Sequence, residues 1–210
     1  MITVQGKGVS TGVALGPLYF YQRAKTAITR YEVSDTDAEW ARFKAAQEKA
    51  VEELGELAEK ARAEAGDEAA MLFETHQMMA EDMEFEEGIQ GAINDSRLNA
   101  EAAVSDTAAQ FAEMFASMDD AYFQARAADI KDVAGRILGI LTGAVQGGID
   151  SPVPVILAAD DLAPSETVQL DKSKILGFIT EGGRIIIHRP LFRHEDYRVC
   201  LEGSRRSAAG

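Results

Sequence analysis

Apolar residues along this chain change their spacing twice. In the first 22 residues, Gly6, Gly8, Gly12 and Gly16 punctuate Val4, Val9, Val13 and Leu15, and Leu18-Tyr19-Phe20-Tyr21 follows. Glycine-bounded runs of β-branched and aromatic residues predict short strands and turns. From Ser34 the spacing becomes helical. Ser34 and Asp35 can cap a helix, and Trp40, Phe43, Ala50, Leu54, Leu57, Ala58 and Ala61 then recur at three, four and seven residues. Met71, Leu72, Phe73, Met78, Met79, Met83 and Phe85, followed by Ile89 and Ile93, mark a second helical region that is rich in methionine and broken part-way. Residues 99–117 carry Val104, Ala108, Phe111 and Phe115 on one face, and residues 120–141 carry Ile130, Val133, Ile137, Leu138 and Leu141. Four helical stretches with short polar links predict an antiparallel four-helix bundle.

At Gly147-Gly148 the spacing switches back. Pro152 and Pro154 preclude a continuing helix, and Val153-Pro154-Val155-Ile156-Leu157 has the β-branched texture of a buried strand. Pro164-Ser165-Glu166-Thr167 suits a helix start, Ile175-Leu176-Gly177-Phe178-Ile179-Thr180 another buried strand, and Gly182-Gly183 a turn. The expected organisation is α+β: an α/β unit from residues 1–22 and 143–200, an inserted helical unit over 32–142, and a tail at 201–210. Residues 191–210 as a whole have the mixed charge of a solvated segment.

Charge narrows the partners. The net charge is -14, and residues 32–132 alone hold 26 Asp and Glu against 8 Lys and Arg. Such a stretch repels phosphate backbones and attracts basic proteins, so nucleic acid is excluded as the expected ligand. The plain alternative is that these carboxylates only solvate helix faces. The one cysteine, Cys200, has no partner for an internal disulfide, and no apolar run approaches the roughly 18 residues that span a bilayer. A cytoplasmic protein without a membrane anchor is expected. Gly6-Lys7-Gly8 lacks the third glycine of a dinucleotide fingerprint. His194 lies beside Glu195 and Asp196 with no further spaced ligand, so no metal site is expected.

Three longer stretches bear a resemblance. Residues 71–82 read MLFETHQMMAED, residues 126–132 read RAADIKD, and residues 157–180 include AADDLAPSET and LGFIT; Gly8-Val9-Ser10-Thr11-Gly12-Val13-Ala14 precedes them. In this order, over roughly residues 1–183, the chain resembles the amino-terminal part of enzyme I of the sugar phosphotransferase system, the phosphoenolpyruvate–protein phosphotransferase family. The resemblance implies an α/β phosphohistidine-type subdomain with the helical bundle inserted, and a kinase-like transferase serving sugar transport. A histidine would pass a phosphoryl group between a phosphoenolpyruvate-binding and dimerisation domain, absent from these residues, and the histidine phosphocarrier protein. Magnesium would belong with that absent domain, leaving no cofactor in this chain and no direct phosphorylation from phosphoenolpyruvate. By position, the carrier-binding surface would comprise Asp67, Glu68, His76, Met78, Met79, Asp82, Glu84, Phe85 and Arg126. For His76 the alternative is a helix-surface histidine with no task, and for Met78 and Met79 it is ordinary bundle core. A further reading is a phosphohistidine domain of a related phosphoenolpyruvate- or pyruvate phosphate-utilising enzyme; those relatives lack such an insertion, so residues 40–141 argue against that reading.

The family's active segment, Gly-Gly-x-Thr-Ser-His-Thr, is altered here to Gly182-Gly183-Arg184-Ile185-Ile186-Ile187-His188-Arg189-Pro190, with no hydroxyl. Counted from Thr167 or Thr180, His188 falls at the family's spacing; counted from Gly182-Gly183, it is one residue late and Ile187 takes the place. A one-residue deletion before the glycines reconciles the two. His188 is therefore the candidate acceptor, with Thr167 orienting it. The competing reading is a strand ending at a histidine, since three consecutive isoleucines favour β structure and Pro190 removes a backbone donor. A frame slip, an internal deletion or divergence would each produce this segment. Two functions follow, an active relay module or an inactive fragment that only binds the carrier.

Overall fold

A computed structural model of the chain describes residues 7–8, 13–21, 28–144, 149, 151–160, 162–181 and 198–200. The chain divides into two compact units, one of Met1–Arg23, Glu64–Gly66 and Gly147–Gly210, the other of Ala24–Ala63 and Asp67–Gln146.

In the first unit, β1 (Lys7–Gly8), β2 (Leu18–Tyr21), β3 (Val155–Ala159), β4 (Ile175–Thr180) and β5 (Arg198–Cys200) form one sheet in the order β1-β5-β4-β3-β2. Neighbours from β2 to β5 are parallel, with Leu18 opposite Ile156 and Leu157 opposite Phe178, while β1 runs antiparallel to β5. Parallel neighbours need a crossover. Between β3 and β4 it is the short helix α6 (Pro164–Gln169) with a 3-10 turn; between β2 and β3 it is the entire helical insertion. Alternate residues Val155 and Leu157 are buried with Leu162, Val168, Leu170 and Phe178. Pro164 opens α6 at a position whose N–H has no helical partner anyway. Glu166 accepts from the Ala163 N–H at 2.7 Å and from the Tyr21 hydroxyl at 3.0 Å, tying β2 to the helix start. Arg198–Cys200 corrects the expectation that residues 191–210 are wholly a solvated segment: Arg198, Val199 and Cys200 pair with Phe178, Ile179 and Thr180. A β-branched residue between the other two suits a strand.

The second unit holds α1 (Thr36–Ala65) up to Ala63, α2 (Asp67–Ala80), α3 (Met83–Asn94), α4 (Ala100–Ala116) and α5 (Ala121–Thr142). The helical unit thus has five helices among its described residues where the sequence predicted four stretches, because the methionine-rich region is two helices. Asp82 makes the break: its carboxylate accepts from the Phe85 N–H at 3.0 Å, a cap that starts α3. Asp35 caps α1 through the Ala38 N–H at 2.9 Å, and Asp120 caps α5 through the Tyr122 N–H at 2.7 Å. Gly143, at φ 67, ends α5 in the left-handed region that glycine tolerates.

Packing follows the apolar stripes. Phe43, Ala50, Leu54 and Ala61 of α1 meet Phe73 of α2, Phe85, Ile89 and Ile93 of α3, Val104 of α4 and Ile130, Val133 and Ile137 of α5 in one core. Small residues let helices approach: Ala100, Ala102, Ala103, Ala108 and Ala112 line the buried side of α4, and a Cβ on Gly88 of α3 would stand 2.8 Å from Thr107 Cγ2. Polar side chains fix the helix ends. Glu39 accepts from the Ala100 N–H at 2.6 Å and pairs with Arg42, whose guanidinium also reaches Glu101 at 2.6 Å. Buried Gln47 donates to the Ala80 carbonyl at 2.6 Å and to Glu86 at 2.8 Å, while Lys44 donates to both Gln47 and Glu86. That cluster fastens α1 to both sides of the α2–α3 break. Although burial opposes ionisation of Glu86, the bonds from Lys44 and Gln47 hold its carboxyl below the ordinary range. No helix among the described residues is long and apolar enough to cross a membrane.

Replacing Gln47 with Ala leaves the Ala80 carbonyl without its side-chain donor and opens a small void. Urea unfolding should show a loss of about 1–3 kcal/mol, with the far-ultraviolet dichroism at zero denaturant unchanged.

Candidate functional site

The break between α2 and α3 brings a particular surface together. Residues 67–87 contain eight Asp and Glu and no Lys or Arg, and four of the seven methionines of the chain fall between 71 and 83. Met71, Met78 and Met83 are 61%, 66% and 71% exposed, far outside the range of core side chains. Met71 and Met78 are seven residues apart and therefore share one face of α2. Asp67 and Glu68 lie exposed at the start of that helix, and Asp82 and Glu84 lie exposed across the break. Met79 is half-buried. Asp67 and Glu74 pair with Arg62, the first at 3.1 Å. Glu68, Asp82 and Glu84 make no ion pair among the described residues. The result is an exposed thioether stripe rimmed by carboxylates. Methionine is flexible and polarisable, so such a stripe adapts to an apolar patch while the rim selects for positive charge.

Two residues expected on this surface lie beneath it. Phe85 is fully buried, its ring edge-on to Phe111 with centroids 5.6 Å apart, because it belongs to the inward stripe with Ile89 and Ile93. His76 is likewise fully buried, on the same side of α2 as Phe73, Ala69 and Ala80. Neither is a surface contact, and His76 is not the idle surface histidine of the alternative reading either. Its Nε2 stands 3.5 Å from Asp129 Oδ1 and its Nδ1 3.7 Å from Asp132 Oδ2, both on α5. Arg126 donates from Nη1 to Asp129 Oδ2 at 3.0 Å and from Nη2 to the Tyr122 hydroxyl, and its guanidinium sits 4.6 Å over the Tyr122 ring. Burial alone would raise the Asp129 carboxyl. His76 and Arg126 outweigh it and hold the group below the ordinary carboxylate range.

In the α/β unit Thr167 is 2% exposed within α6, beside buried Ser165 and Val168. His188, and with it the altered segment 184–190 and His194, lies outside the described residues. Among the described residues no group of three or more His, Cys, Asp and Glu is placed to hold a metal ion.

Residues 5–126 match the family described as PEP-utilising enzyme, N-terminal. The chain belongs to this family. It is 38% identical over 186 residues to the phosphoenolpyruvate-protein phosphotransferase of Priestia megaterium, covering 86% of this chain and 32% of the relative. The proteins of the same name from Bacillus subtilis (strain 168) and Enterococcus faecalis (strain ATCC 700802 / V583) are 36% and 39% identical, covering 88% and 86% of this chain and 33% and 32% of theirs. The chain thus spans about a third of the length of these relatives. Among solved structures, the solution structure of Enzyme I superposes with a TM-score of 0.76 at 34% identity, covering 94% of this chain and 82% of that one. The N-terminal domain of Enzyme 1 - Nitrogen superposes at 0.65 and 23% identity, over 94% and 83% of the two chains, a likeness of fold.

As a member of the PEP-utilising enzyme N-terminal family, the chain has the α+β fold and enzyme I likeness that the sequence implied. Sequence reasoning missed Met71, Met83, Asp129 and Asp132. The methionines were visible as a group, and Met71 stands one heptad before Met78, but an apolar stripe looks the same whether it faces inward or outward. The two aspartates were quoted as part of a motif; their spacing of three residues puts them on one side of α5, and only the packing reveals that this side is buried.

The depressed Asp129 fixes the sign of an acid effect. The group is ionised in the folded state at pH values where it would be protonated in the unfolded chain, so its stabilisation is present above about pH 4 and is lost as pH falls through the lower folded value. Unfolding free energy measured from neutral pH downward should decline below about pH 4, and Asp129→Asn should flatten that decline while lowering stability at neutral pH.

Proposed function

We propose that this chain is the acceptor-and-docking module of a phosphoryl relay, binding a basic histidine phosphocarrier protein on the α2–α3 surface and exchanging a phosphoryl group with it through His188. The observation that carries the docking half is the exposed Met71, Met78 and Met83 stripe beside Asp67, Glu68, Asp82 and Glu84. A carrier whose own histidine is flanked by arginines and an apolar patch is complementary to it in both respects. Kinship with enzyme I supports the relay half. The exchange itself is an in-line displacement: an imidazole nitrogen of His188 attacks phosphorus, the new N–P bond forms as the bond to the carrier imidazole breaks, and the leaving nitrogen keeps the electron pair. One phosphohistidine replaces another, so the step is close to balanced and runs in both directions. Thr167, buried at the start of α6, is the side chain assigned to orient the His188 ring. His76 is excluded as acceptor because its ring is fully buried. This role is a cytoplasmic one.

The altered segment around His188 favours a second reading, in which the chain binds the carrier and transfers nothing. Isotopically phosphorylated carrier protein separates the two. In the relay reading, acid-labile label appears on the chain and is abolished by His188→Ala but not by His76→Gln; binding with no transfer selects the second reading, and absence of both refutes the proposal.

The docking face makes its own prediction. Because Met78 and Met83 are exposed, Met78→Asp and Met83→Asp should leave the thermal midpoint near that of the parent while weakening carrier binding about tenfold or more. Isothermal titration at two ionic strengths measures this, and wild-type affinity should fall with added salt.

A further inference from the structure

Between residues 63 and 130 the chain carries only two cations, Arg97 and Arg126. Arg97 is spent on the backbone, donating to the Val33 and Ser34 carbonyls at 3.0 and 2.8 Å. Within that span Arg126 is thus the guanidinium not committed to the backbone, among many carboxylates that could draw it away. What fixes it is Asp129, three residues on, whose side chain is 8% exposed and whose second oxygen faces buried His76 at 3.5 Å. The side chains Arg126, Asp129, His76 and Asp132 thus form a row from a partly exposed position into the core.

We propose that His76 is a positioning residue for the docking face: by holding Asp129 from below, it sets the orientation of Arg126 above. The inference rests on the docking reading given under the proposed function. Three observations carry it. His76 has no closer polar contact than the two carboxylates among the described residues, although a buried imidazole left without partners is costly. The carboxylates flank opposite ring nitrogens, so the ring stands between Asp129 and Asp132 as a spacer. The other oxygen of Asp129 takes the Arg126 bond at 3.0 Å, so moving the His76 side of that carboxylate moves the Arg126 side with it. The neighbours of His76 on other elements are accounted for: Phe73 packs edge-on at 6.0 Å within α2, and α1 meets α2 beside it through Gln77 Nε2 to the Val51 carbonyl at 2.9 Å. Farther along α5, Arg136 is paired with Glu53 of α1 at 2.8 Å.

The test uses the whole chain, labelled with nitrogen-15, and follows the guanidinium resonances of Arg126 at neutral pH. Wild type should give resolved Arg126 signals, set apart by the bond to Asp129. His76→Gln, whose amide can still donate to Asp129, should keep them resolved; His76→Phe should merge them with solvent-exposed arginines. Carrier affinity should fall about fivefold in His76→Phe, less in His76→Gln, and the loss should vanish in an Arg126→Ala background. Arg126 signals unchanged in His76→Phe with an intact amide fingerprint overturn the inference, as does an equal loss of affinity with and without Arg126. If His76→Phe fails to fold, the carrier affinity of His76→Gln with and without Arg126 decides: a loss that persists in the Arg126→Ala background overturns the inference. A wild-type chain that does not bind the carrier refutes the docking reading, while the Arg126 signals still test the role of His76.

Discussion

The interruption of one helical path between Ala80 and Met83, and the buried amide that fastens it, is the constraint on which the helical unit depends. A helix end leaves carbonyls without partners. Gln47 reaches from α1 to take the Ala80 carbonyl and, with the same nitrogen, binds Glu86 of α3. Asp82 satisfies the opposite need, capping the new helix. Because the amide and the cap hold both sides of the break, α2 and α3 can turn their inward stripes, Phe73 and Phe85-Ile89-Ile93, toward one core while leaving Met78, Asp82, Met83 and Glu84 outside. A continuous helix through the same residues would rotate the second stripe relative to the first.

Charge within the core and charge on the surface are organised differently in this unit. The outward carboxylates near the break are numerous and solvated, so each adds little to stability. Inward ones are few and matched: Glu86 with Lys44 and Gln47, and Asp129 with Arg126 and His76. The two pairings keep the carboxyls ionised against the cost of burial, which is why both lie below the ordinary range. An acidic surface over inward carboxylates that have cationic partners, Glu86 with Lys44 and Asp129 with Arg126, keeps its long-range attraction for a basic partner.

The α/β unit follows a different logic. Parallel pairing of β2 with β3 requires a long crossover, and the chain supplies the whole helical unit as that connection. Local residues then secure the sheet: Glu166 ties Tyr21 to the α6 start, and Val155, Leu157 and Phe178 bury alternately beneath the helix-side residues Val168 and Leu170. Thr167 sits in this packed layer, held by the same short helix that opens at Pro164.

Much of this was determined by the sequence alone. The switches from strand to helix and back are set by apolar spacing, and the cap at Asp35 stands where the first helix begins, because these signals act within a few residues of chain. The excess of carboxylates over 67–87 and the clustered methionines were equally plain. What the tertiary structure decided was which way each stripe faces. Met78 and His76 are two residues apart on one helix and were expected on one surface, yet Met78 is 66% exposed and His76 fully buried. Residues two apart on a helix point about 200° apart, so helix geometry forbids them a common face; His76 turns inward with Ala69, Phe73 and Ala80, and there it meets Asp129 and Asp132, more than fifty residues away. Orientation of that kind is a property of packing between helices, and no local pattern carries it.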